Sequence, residues 1–89
     1  MGNSLRQHPV IRMLFDSLQK YQNGNIDISG LWQNASLVMS TMEGDVPKEV
    51  RDAVFSLEGE LDSVRFTVRQ DQQAREVEKI FGELEDLIN

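Results

Sequence analysis

Eighty-nine residues are enough for one domain with a small core and no more. Fifteen acids against nine bases give a net charge of −6, which sets the average surface against phosphate backbones and anionic membranes and favours a basic protein partner, although solubility alone would account for the acidity as well. The chain has no cysteine, so disulfides, thiolate catalysis and thiolate metal sites are excluded.

The first seven residues read as a polar arm. They lack the apolar run of a signal peptide, and Arg6 stands where a myristoylation signal wants Ser or Thr. With no apolar run long enough to span a bilayer, a cytoplasmic protein is the expectation.

Four stretches follow, over about residues 9–23, 28–43, 47–65 and 71–88. Each repeats apolar residues at three- and four-residue spacings, which predicts amphipathic helices. In the first, Pro9 opens the helix, Val10, Ile11, Leu14, Phe15, Leu18 and Tyr21 form the stripe, and Asn23-Gly24 stops it. Asp27 is the expected N-cap of the second. Its stripe is Ile28, Leu31, Trp32, Ala35, Val38, Met39 and Met42, with Gly44 as the stop. Pro47 opens the third, whose stripe is Val50, Ala53, Val54, Leu57, Leu61 and Val64. The segment 66–70 contains the β-branched pair Thr67-Val68 and is read as a turn, with Asp71 near the start of the fourth helix and a helix continuous through this point as the alternative. That helix carries Ala74, Val77, Ile80, Phe81, Leu84, Leu87 and Ile88. Short connections favour antiparallel neighbours. The fold class expected is all-α, a single up-down-up-down four-helix bundle.

Catalytic and metal motifs do not emerge. His8 is the only histidine and sits at a helix start, with no Ser or Asp placed to join it. There is no Glu-x-x-His pair for a bundle metal site. The run 23–27 faintly resembles a calcium loop, but Gly30 then falls where a bidentate Glu belongs. The glycines are scattered and form no phosphate cradle. No enzyme, metal or cofactor is expected.

Two helix faces stand out. The second helix has no charge from Ile28 to Met42, and its outward positions include Gly30, Gln33, Leu37 and Thr41. Such a face suits self-association in a homodimer, with Leu37 and Gly30 near the two-fold axis. A helix flanked on both sides within its own bundle would account for it as well. On the third helix, Phe55 points away from the apolar stripe at 100° per residue, and Phe66 shares its side if helical. Glu58 and Asp62 lie beside them, with Asp52 and Asp45 further along. Aromatic anchors with a charged rim are the usual make-up of a protein interface, and a solvated helix with one Phe tucked beneath the loops is the alternative. Phe55 would fill a pocket, Glu58 and Asp62 would pair with Lys or Arg, and Asp52 and Asp45 would steer.

The segments 24–32, 44–52 and 58–62 (GNIDISGLW, GDVPKEVRD and EGELD), set in a small, acidic, cysteine-free helical chain, resemble immunity proteins of bacterial toxin systems, including contact-dependent growth inhibition. The likeness spans about residues 10–88 and is one of size, charge and helix layout. It implies a non-catalytic protein that binds a cognate basic toxin domain and covers its active site or a neighbouring site.

Overall fold

The computed structural model describes residues 7–42, 44 and 46–88. They form four helices: α1 (Pro9–Gln22), α2 (Ile28–Thr41), α3 (Lys48–Thr67) and α4 (Gln70–Ile88). Most of the arm read at residues 1–7, together with Glu43 and Asp45, lies outside the described residues.

Local chemistry accounts for most helix ends. Pro9 occupies the first turn of α1, where its missing N–H costs nothing. His8 caps it: Val10 N–H donates to His8 Nδ1 at 3.3 Å. Gly24 closes the helix at φ +80°, a left-handed conformation that favours glycine. Asp27 caps α2 as expected, its Oδ1 accepting from Gly30 N–H at 2.9 Å. Pro47 caps α3 through its backbone instead of being the first helical residue, and its carbonyl accepts from Val50 and Arg51 N–H.

One boundary differs from the sequence reading. Phe66 and Thr67 belong to α3, and only Val68 and Arg69 make the turn. Thr67 Oγ1 donates back to Ser63 O at 2.8 Å, which satisfies the hydroxyl within the last turn of the helix. Val68 then turns extended, its N–H still donating to Val64 O, and its carbonyl accepts from Gln73 Nε2 at 3.1 Å.

The core is a continuous apolar cluster drawn from all four helices. On α3 the buried stripe is Val50, Val54, Leu57, Leu61 and Val64. Ile11 and Leu14 of α1, Leu31, Ala35 and Val38 of α2, and Val77, Ile80, Phe81, Leu84 and Ile88 of α4 complete it. Val46, before α3, is fully buried and extends the core to the end of the bundle. On α4, Ala74 and Leu87 are exposed, contrary to their place in the expected stripe. At 100° per residue they fall on opposite edges of the stripe that Gln73, Val77, Ile80, Phe81, Leu84 and Ile88 define. Buried Ser17 keeps its hydroxyl satisfied by donating to Met13 O at 3.0 Å.

The helices pack in chain order, α1 on α2, α2 on α3 and α3 on α4. α1 and α4 approach mainly through side chains, with Phe15 edge-on to Phe81 at 5.8 Å between centroids. Among the described residues no helix is long and apolar enough to cross a membrane.

Leu61 is fully buried in the α3 stripe. Leu61→Ala should therefore cost about 2–5 kcal/mol of unfolding free energy in urea, a large part of the stability of so small a domain. On the flank of α3 facing α4, partial burial raises the Glu60 carboxyl above its ordinary range, Glu83 adds to the rise and Lys79 opposes it. The folded state then holds that proton more tightly than the unfolded chain, so this site loses stability as pH rises through the ordinary and then the raised value. Glu60→Gln should melt slightly above the parent near neutral pH, and the gain should vanish in acid below the ordinary glutamate range. Thermal melts at the two pH values check both the sign and the window.

Candidate functional site

The α2–α3 seam carries a polar cluster above the core. Trp32 and Ser36 are one turn apart on α2 and share a face. Trp32 Nε1–H donates to Glu58 Oε2 at 2.8 Å, and Ser36 Oγ–H donates to the same oxygen at 3.0 Å. One turn further along α3, Asp62 holds Arg65, with Nη2 of the guanidinium 2.8 Å from Oδ1. The guanidinium carbon lies 4.2 Å from the centroid of the Trp32 ring and 4.5 Å from that of Phe66. Arg65 is thus stacked between two aromatics, one on each helix. Its Nε is buried with no hydrogen-bond acceptor among the described residues.

The outer face of α3 is apolar at two points. Phe55 is 56% exposed and Phe66 74% exposed. Eleven residues apart on a helix, they lie roughly 16 Å from each other with an angular offset of about 20°. Gly59 sits between them on the same side. A Cβ built there would meet nothing within 4 Å, so no packing inside the molecule requires the glycine. Its effect is a flat stretch of helix between two exposed rings, at a cost in helix propensity.

The carboxylates expected as a rim have partners within the chain. Asp52 is exposed and pairs with Lys48 at 3.7 Å, one turn earlier, a contact worth little in solvent. Asp62 is engaged by Arg65, and Glu58 accepts from α2. Glu58 therefore positions the seam as well as bordering the aromatic face. Asp45 lies outside the described residues.

On the α2 face, Gln33, Leu37 and Thr41 are exposed, Leu37 to 52%. Thr41 Oγ1 donates back to Val38 O at 3.2 Å. Gly30 has a local explanation: a Cβ there would lie 3.2 Å from Ile26 Cβ, so the Asp27 capping turn leaves little room for a side chain.

No protein-family model, curated protein or solved structure matches this chain. The site's chemistry must then be read from its own residues. Among the described residues no group of three or more His, Cys, Asp or Glu is placed to hold a metal ion. What the arrangement offers is contact: exposed rings, a rigid stacked cation and hydrogen-bonded carboxylates on one side of α2 and α3.

The sequence points to Phe55, Glu58, Asp62 and Phe66 as contact residues and does not point to Trp32, Ser36 and Arg65, which the structure places against Glu58, Asp62 and Phe66. The signal was there in part. Glu58 and Arg65 are seven residues apart, and so share a face of α3, as Trp32 and Ser36 do on α2.

Truncating Glu58 leaves the Trp32 N–H without its acceptor. Glu58→Ala should cost about 1–3 kcal/mol in urea unfolding. It should also red-shift the emission of Trp32, the single tryptophan. Unchanged stability and emission would detach Glu58 from the seam.

Proposed function

We propose that this chain is a non-catalytic protein-binding module of the immunity type, which acts in the cytoplasm by binding and neutralising a basic toxin domain. The observation that carries the reading is the exposure of Phe55 and Phe66 on one side of α3, with Gly59 between them. Two large aromatic rings left in water on a small domain are a standing cost that burial against a partner removes. The net charge of −6 supports a basic partner. The reading takes the helices as an up-down-up-down antiparallel bundle, with which their packing order and the short connections at 23–27, 42–47 and 68–69 are compatible.

In this reading Phe55 and Phe66 enter pockets on the partner. Arg65, held by Asp62 and the Trp32 ring, keeps Phe66 presented. Asp62, Glu58, Asp52 and Asp45 shape the field around the rings, and the partner's Lys and Arg side chains approach their free oxygens.

Affinity capture of the tagged full-length chain from its native cell, at low and then moderate salt, should recover one basic protein. Phe55→Ala should weaken that complex by about 2 kcal/mol or more. Gly59→Ala should gain up to about 1 kcal/mol of folding stability while weakening the complex, a split that a purely structural glycine would not give. Recovery of the chain alone, with self-association abolished by Leu37→Lys, would replace this reading with a homodimer through Gln33, Leu37 and Thr41.

A further inference from the structure

The α1–α4 seam is hollowed more deeply than the α3–α4 seam, where a hollow of about 310 Å³ lies between residues such as Glu60 and Lys79. Two adjoining hollows of about 690 and 420 Å³ lie along the α1–α4 seam and share Gln22 and Glu78 in their walls. They extend along α4 from Gln70 to Glu85, a length of roughly 22 Å at 1.5 Å per residue. Phe15, Leu18 and Phe81 give the floor of one, and Tyr21, Ile26 and Ile28 the apolar side of the other. The charged residues lining the pair are Asp16, Asp27, Glu78 and Glu85, and among the described residues no Lys, Arg or His lines either hollow.

Gly82 shapes this seam. It lies in the wall of the smaller hollow, inside α4, and a Cβ added to it would meet nothing within 4 Å. The core does not need the glycine, and any side chain in its place would narrow the opening.

We propose that the α1–α4 groove is a second docking surface and that it takes a cationic amphipathic helix of a partner protein. Apolar residues at three- and four-residue spacings on that helix cover the half-buried Phe15 and Leu18. Lys or Arg on its flanks meets Asp16 on the α1 side and Glu78 on the α4 side. The acidic rim rejects nucleic acid and acidic peptides. The groove's length suits about four turns of helix. This inference is independent of the role given to Phe55 and Phe66.

The test uses the isotope-labelled full-length chain, titrated in NMR with a synthetic amphipathic helix of about five turns built from Leu and Lys, and with the same peptide carrying Glu for Lys. The Leu/Lys peptide should bind saturably, with shifts concentrated at amides 15–22 and 74–85. The Leu/Glu peptide should not bind. Asp16→Lys with Glu78→Lys should weaken binding at least about tenfold. Gly82→Leu should weaken it comparably while raising the melting temperature, so that lost binding cannot be put down to lost folding. Phe55→Ala should leave it unchanged. Shifts spread evenly over every acidic surface, shifts centred on Phe55 and Phe66, or full binding by Gly82→Leu would each overturn the proposal.

Discussion

Burial of one apolar stripe on α3 is the constraint from which the rest of the structure follows. Val50, Val54, Leu57, Leu61 and Val64 meet both α2 and α4, and α1 joins through α2. That stripe points a single way. Residues on the far side of α3 have no core left to enter, and Phe55 and Phe66 stand in water for that reason. Their exposure is a geometric consequence of where the core lies.

The α2–α3 seam shows how a small domain can place polar groups close to its core at modest cost. A carboxylate half-withdrawn from water is tolerable when hydrogen bonds replace its hydration. Glu58 meets that condition with an indole N–H and a hydroxyl from α2. Arg65 meets it in part through Asp62 and two ring faces. These contacts tie α2 to α3 across the seam. The closing seam between α1 and α4 has no short loop to draw it together, and it stays open where Gly82 and the acidic rim leave room.

The helices were legible because period and punctuation agree. Pro9, Gly24 and Asp27 mark ends that the structure reproduces to within a residue. The end of α3 lies two residues beyond the expected one, because Thr67 and Val68 weigh against helix locally while the last turn still closes through Val68 N–H to Val64 O. The outward direction of Phe55 followed from angle alone. The Trp32–Glu58 bond did not, since it joins residues 26 apart and depends on how two helices slide past each other. Arg65 was missed for the same reason: its ring partners lie on two different helices. The exposed Ala74 and Leu87 show the limit of stripe reading at its edges, where a neighbouring helix decides burial.

The central claim is that the aromatic pair on α3 serves contact and not folding. Its most direct test is the urea unfolding free energy of the double variant Phe55→Ala, Phe66→Ala. The account predicts a loss of less than about 1 kcal/mol, no more than an exposed cation–π contact to Arg65 is worth. A loss of about 3–5 kcal/mol, the cost of removing a core phenylalanine, would contradict it and place the two rings in the fold itself.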